Sequence, residues 1–150
     1  QEAADIFADY YQTYENSWQL FPDVVDVLDK LADRQLAVIT NGDKKNQTYK
    51  LNRLGLLSYF SEVITPACAG AAKPDPVIFR SAASVVGKRP EECWYIGDNY
   101  ALDYKGALAS GFNSVWLNRR ASQEQCDKQC KDLYGFFGIV NSTNQNNVAL

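Results

Sequence analysis

Between residues 36 and 117, four short apolar runs alternate with stretches of helical period, and this alternation admits few architectures. The runs are Leu36-Ala37-Val38-Ile39, Glu62-Val63-Ile64, Cys93-Trp94-Tyr95-Ile96 and Ser114-Val115-Trp116-Leu117. Between them, apolar residues recur at steps of three and four: through Leu51 and Leu54, through Ile78, Phe79, Ala82 and Val86 after Pro76, and from about Asp103 to Ala109. A strand apolar on both faces must be covered on both. Parallel neighbours need a long crossover, which supplies the covering helices. The pattern predicts an α/β fold with a mostly parallel sheet between helical layers.

The flanks are less regular. Phe7, Tyr11, Tyr14, Trp18 and Phe21 recur every three or four positions, the spacing of one helix face, so residues 7–21 are expected to form a helix packed on something else. Pro22-Asp23 opens a further helix whose buried stripe is expected at Val24, Val25, Leu28 and Leu31. Beyond Arg120, residues 133–140 could make one more strand, and the Asn-rich stretch 141–147 reads as a polar loop or fraying end.

Composition narrows the partners. The chain has 150 residues and a net charge of −3, and basic pairs such as Lys44-Lys45 and Arg119-Arg120 are short, so a nucleic-acid partner is not expected. No apolar run approaches the ~20 residues that cross a bilayer, and the first residues lack a signal-peptide pattern, so no membrane is expected and the cytoplasm is the default compartment. Cys68 and Cys93 lie among apolar residues, whereas Cys126 and Cys130 stand four apart in a polar tail with no His to complete a zinc set. The Asn-x-Thr matches at Asn46 and Asn141 would matter only in a secreted protein. The sequence contains no Met, as expected of residues cut from a longer polypeptide.

Ligands of open parallel sheets bind beyond the carboxyl ends of the strands. Thr40-Asn41-Gly42 follows the first run and precedes a helix; a hydroxyl, a carboxamide and backbone N–H groups there can cradle phosphate oxygens, or Thr40 or Asn41 can simply cap the helix. Lys73, in Ala72-Lys73-Pro74-Asp75-Pro76, can set its ammonium against a phosphoryl group, although an isolated lysine is usually a solvated surface charge. The prolines stiffen the backbone that aims it. Asp98 ends a buried strand, where an unpaired carboxylate is costly and a hard cation such as Mg²⁺ is the natural counter-charge. Asp103, five residues on, can reach the same site or orient its water and Lys73, or be a helix cap.

In this order, Thr40-Asn41-Gly42 after a strand, Lys73-Pro74-Asp75-Pro76 with Ile78-Phe79, and Gly97-Asp98 with Asp103 and Gly106-Ala107 resemble the second, third and fourth motifs of the haloacid dehalogenase-like hydrolases. The resemblance runs over residues 21–120 and implies a three-layer Rossmann-like core. Residues 1–20 resemble the end of a helical cap, and residues 121–150 would be a tail with a possible last strand. The resemblance implies that Thr40 binds the transferring phosphoryl group, with Asn41 and Gly42 beside it. It further implies that Lys73 neutralises charge on nucleophile and phosphate, that Asp98 ligates Mg²⁺ and that Asp103 supports the metal site. Carbon-attacking dehalogenases resemble Ser-x-Asn at the fourth motif. This chain keeps Gly97-Asp98, which favours phosphoryl transfer.

The first motif of that family, an apolar strand ending Asp-x-Asp, carries the nucleophile and the acid/base, and no Asp-x-Asp occurs in this sequence. Asp5 and Asp9 fall in the helical pattern, so the chain alone is expected not to turn over. Without its own first strand the sheet would keep a central gap, filled by a parent chain, by a partner or by residues 133–140. The expected function is Mg²⁺-dependent hydrolysis of a small phosphorylated metabolite, a nucleotide or sugar phosphate, by the intact protein. The alternative is a non-catalytic relative that binds phosphate or a protein. A receiver-type signalling domain is disfavoured because Lys73 precedes Asp98.

Overall fold

The computed structural model describes residues 5–8, 19–124 and 126–148. Its strands are β1 (Asp5–Ala8), β2 (Leu36–Ile39), β3 (Glu62–Ile64), β4 (Cys93–Gly97), β5 (Asn113–Leu117) and β6 (Gln129–Cys130). All neighbours pair in parallel, in the order β3-β2-β1-β4-β5-β6. The helices are α1 (Asp23–Lys30), α2 (Lys44–Arg53), α3 (Pro66–Ala69), α4 (Pro76–Val85), α5 (Gly106–Ala109) and α6 (Leu133–Val148). The three-layer α/β core expected from the apolar runs is thus the observed one.

Period-two alternation along the strands sorts the core into faces. Ala37, Ile39 and Tyr95 pack with Ile78, Phe79 and Ala82 of α4 and Ala107 of α5. Leu36, Trp94, Ile96, Val115 and Leu117 pack with Val27 of α1, Leu31, and Phe136 and Val140 of α6. Val38 and Val63 join Val24 of α1, Leu51 of α2 and Leu56. Each large apolar side chain so buried contributes ~1.5–3 kcal/mol relative to exposure. Local signals agree with these packings: Asp43 caps α2 through the Asn46 N–H, and Asp75 caps α4 through the Val77 N–H, with Pro76 at the first position.

Several expectations are corrected. Asp5–Ala8, expected in a helix at the end of a cap, is the central strand, paired with both β2 and β4. Ile6, Phe7 and Ala8 have a parallel neighbour on each side, and this non-local pairing overrides a local aromatic period. Residues 9–18 of the expected helix, with Asp9, lie outside the described residues. Asp5 opens β1 opposite Cys93, the first residue of β4, so it stands at the amino end of the sheet. The gap foreseen in the sheet is filled by β1 and not by residues 133–140.

Those residues form the start of α6, which continues through the Asn-rich stretch to Val148. Leu133, Phe136, Phe137 and Val140 recur at helical steps, and Asp132 accepts from the Gly135 N–H at the helix start. In α1 the buried stripe is Val24, Val27 and Leu31, while Val25 is exposed. Cys68 is exposed rather than packed among apolar groups, Cys93 is buried, and all four cysteines are free thiols.

Candidate active site

Three loops leave the carboxyl ends of β2, β3 and β4. In the first, the Thr40 N–H extends the ladder to the Ile64 carbonyl at 3.0 Å, and its Oγ1 accepts from the Gly42 N–H at 3.1 Å. The buried Thr40 hydroxyl thereby closes a tight turn and keeps its own proton to donate. Asn41, expected to meet phosphate, directs its carboxamide elsewhere: Oδ1 accepts from the Lys73 N–H at 2.7 Å and Nδ2 donates to the Lys73 carbonyl at 3.2 Å. The amide copies a β-bridge and ties the Thr40 loop to the Lys73 loop.

Lys73 sits between α3 and α4, next to a cis peptide bond to Pro74. Its side chain is almost fully buried, and Nζ donates to Asp103 Oδ1 at 2.8 Å and to Tyr95 Oη at 3.3 Å. Burial pulls the ammonium below the usual lysine value, opposed chiefly by the neighbouring Asp103 carboxylate and, further off, by Asp98. Removing one partner of such a pair strands a charge and costs ~3–5 kcal/mol.

Asp103 reaches Lys73 because the chain from Tyr100 to Lys105 takes a π-helical turn after Asn99, whose Oδ1 caps the Leu102 N–H. Asp103 is wholly buried, and its Oδ2 accepts from the Asn99 N–H at 3.0 Å. It lies directly on Gly97: a Cβ there would stand 2.5 Å from the Asp103 carboxyl carbon. Glycine at this position therefore follows from the close approach of the carboxylate. Gly106 likewise lets α5 meet α4, since its Cβ would lie 2.9 Å from the Phe79 ring.

The burial expected of Asp98 belongs to Asp103 instead. Asp98 is the first exposed residue beyond β4, and its carbonyl accepts from Trp116 Nε1 at 2.9 Å. Of the two carboxylates Asp98 is the exposed one, whereas both Asp103 oxygens are engaged inward by Lys73, Tyr95 and Asn99. Among the described residues, no group of three or more His, Cys, Asp or Glu could hold a metal ion. One exposed carboxylate fits Mg²⁺, a cation that keeps several waters and takes further oxygens from a phosphate.

The structure thus joins Thr40, Asn41, Lys73 and Asp103 in one bonded set, with Asp98 in electrostatic range of Lys73. Two participants escaped the sequence reading. Tyr95 looked like one more apolar strand residue; the available signal was its hydroxyl, which needs a partner when buried. Asp23, at the start of α1, is buried and makes two 2.9 Å bonds with Arg119 Nη2.

Residues 1–111 match the family model described as haloacid dehalogenase-like hydrolase. The chain belongs to the haloacid dehalogenase-like hydrolases. Relatives of this chain include the glyceraldehyde 3-phosphate phosphatase of Methanopyrus kandleri, 33% identical over 85% of the chain and 55% of the relative. The phosphoserine phosphatase of Thermus thermophilus is 35% identical over 79% of the chain and 48% of the relative. A crystal structure of a HAD phosphatase from Thermococcus onnurineus superposes with a TM-score of 0.77 at 35% identity, covering 81% of this chain and 58% of that one. The chain therefore spans about half the length of the curated relatives it matches.

Proposed function

We propose that this chain carries the phosphate-binding half of a hydrolase that cleaves small phosphate monoesters with Mg²⁺, working in the cytoplasm on a phosphorylated metabolite such as a sugar phosphate or nucleotide. The observation that carries this reading is the buried Lys73–Asp103 pair, tied by Asn41 to the Thr40 turn. A cation immobilised beside a hydroxyl donor at the ends of parallel strands is suited to an anion whose charge is spread over several oxygens. Thr40 donates to a phosphoryl oxygen, Lys73 supplies positive charge, and Asp98 is the residue that would hold Mg²⁺, which when bound neutralises charge on the phosphoryl oxygens. Asp103 acts through Lys73 by fixing its position. The relatives named as phosphatases of glyceraldehyde 3-phosphate and of phosphoserine support a small phosphorylated substrate.

Aspartyl-phosphate chemistry needs a strand ending Asp-x-Asp, which the sequence lacks, so the chain by itself binds phosphate without hydrolysis. Calorimetric titration of the chain with inorganic phosphate and Mg²⁺ tests this. Binding is expected to weaken at least tenfold, about 1.4 kcal/mol, on Thr40→Val or Asp98→Asn, with no phosphate released from an aryl phosphate ester. No phosphate binding by the unaltered chain, with or without Mg²⁺, would remove the reading.

A further inference from the structure

Tyr95 has no part in the roles assigned above, yet its hydroxyl stands between the two charges of the site. Its ring is fully buried on the face of β4 that meets α4, held edge-on by Phe79 at 5.3 Å between centroids and 86° between planes. Its Oη lies 3.3 Å from Lys73 Nζ and 3.3 Å from Asp103 Oδ1, closing a triangle whose third side is the 2.8 Å ion pair. The bond directions are forced. An ammonium only donates and an ionised carboxylate only accepts, so the phenol accepts from Lys73 and donates its own proton to Asp103.

Packing does not account for this oxygen. A phenylalanine would fill the same volume against Phe79 without the cost of burying a hydroxyl. What the hydroxyl adds is a second bearing for the ammonium. Nζ ends a stem of four rotatable bonds; an acceptor fixed on a strand, itself bonded to Asp103, narrows the positions it can take beside the carboxylate. We propose that Tyr95 is a positioning residue, whose hydroxyl sets where the Lys73 ammonium stands to receive an anion. The inference rests on the reading of this site as a phosphate site, and deepens it by naming what aims its cation.

The test uses the intact chain, labelled with ¹⁵N, and two readouts. In the unaltered chain the Tyr95 hydroxyl proton is expected to exchange slowly enough to give a resonance in the proton spectrum, with a nuclear Overhauser contact to the Lys73 ammonium. Tyr95→Phe is expected to speed exchange of the Lys73 ammonium protons about tenfold and to weaken binding of inorganic phosphate by a similar factor. The Asn99 amide, bonded to the other oxygen of Asp103, should keep its exchange rate. An ammonium that exchanges equally in both proteins overturns the inference, as does an Asn99 amide that accelerates in step, which would mark general loosening. The hydroxyl resonance is read in the unaltered chain, so its absence counts against the inference even if the variant does not fold. Failure of the unaltered chain to bind phosphate, while the ammonium still responds to Tyr95→Phe, removes the phosphate reading and leaves the positioning of Lys73 supported.

Discussion

The buried hydroxyl of Tyr95 couples the site to alkaline stability. Desolvation, reinforced by the Asp103 carboxylate, holds its pKa well above the ordinary 10.0. The Cys130 thiol and the Tyr104 hydroxyl are each pushed up to about 12, in both cases mainly by burial. Above the ordinary values of these groups the unfolded chain releases protons that the folded chain retains, so stability falls as pH rises. Lys73, whose folded pKa lies below 10.5, contributes the opposite sign just under that pH, and the tyrosine effect is therefore read above it. Tyr95→Phe removes one retained proton and leaves the other groups in place. At pH 7 the variant should be less stable by ~1 kcal/mol, the worth of the lost hydrogen bonds. As pH rises past 10 the gap should close and then reverse in favour of the variant, changing by about 1.4 kcal/mol per pH unit above pH 10.5. Urea unfolding at a series of pH values measures it, and parallel curves through pH 11.5 would contradict the assignment of a neutral, buried phenol.

At the scale of elements, a second charge pair, buried at Asp23 and half-buried at Arg119, joins three pieces of chain that are distant in sequence. Asp23 at the start of α1 is 4% exposed, and both of its oxygens bond to Arg119 beyond β5, while Oδ2 also accepts from the Leu133 N–H at 2.7 Å where α6 begins. The Arg119 guanidinium also lies over the Phe21 ring at 4.3 Å. Arg119→Ala leaves the carboxylate buried with a backbone donor as its chief partner, and is expected to cost ~2–4 kcal/mol, with faster amide exchange at Leu133. Arg119→Lys should cost less, because the charge persists without the planar fork. A loss under about 0.5 kcal/mol for Arg119→Ala would show the pair to be incidental. This joint also marks how far the sequence could be read. The strands β2 to β5 were legible because they are apolar on both faces, which only a covered parallel sheet tolerates. Thr40 and Asp98 stood out as candidates because each directly follows one of those strands, and Lys73 and Asp103 because of the prolines beside the lysine and the short spacing from Asp98. The strand β1 and the helix α6 were not: each is decided by what it packs against, β1 by neighbours on both sides and α6 by the core that receives Phe136 and Val140. Tyr95 and the Asp23–Arg119 pair were hidden for the same reason, since their partners stand 8 or more positions away and no local spacing brings them together.

Across the whole molecule, the sheet order makes β1 the link between two sets of strands. The loop with Thr40 grows from β2 and the loop with Asp98 from β4, and these two strands pair with β1 and not with each other. Two inter-strand steps of ~4.8 Å therefore set the distance across the site, and β1 defines both. Its backbone alone carries this role, because the register Ile6 to Leu36 and Ile6 to Trp94 fixes β2 against β4 whatever the side chains do. Proline tests the backbone directly: it cannot donate to the ladder and is tolerated at sheet edges but not in a central strand. Phe7→Pro should lower unfolding free energy by ~3 kcal/mol or more, from a lost bond, an unsatisfied partner and local distortion. The buried Trp94 and Trp116 report the transition by fluorescence. If the two halves of the site are held in register by β1, phosphate affinity must fall with stability even under conditions where the variant is still folded. A variant that unfolds at the same urea concentration as the unaltered chain would remove β1 from the sheet centre. One that loses stability but binds phosphate unchanged would mean that the Asn41–Lys73 bridge, and not the strand spacing, sets the site.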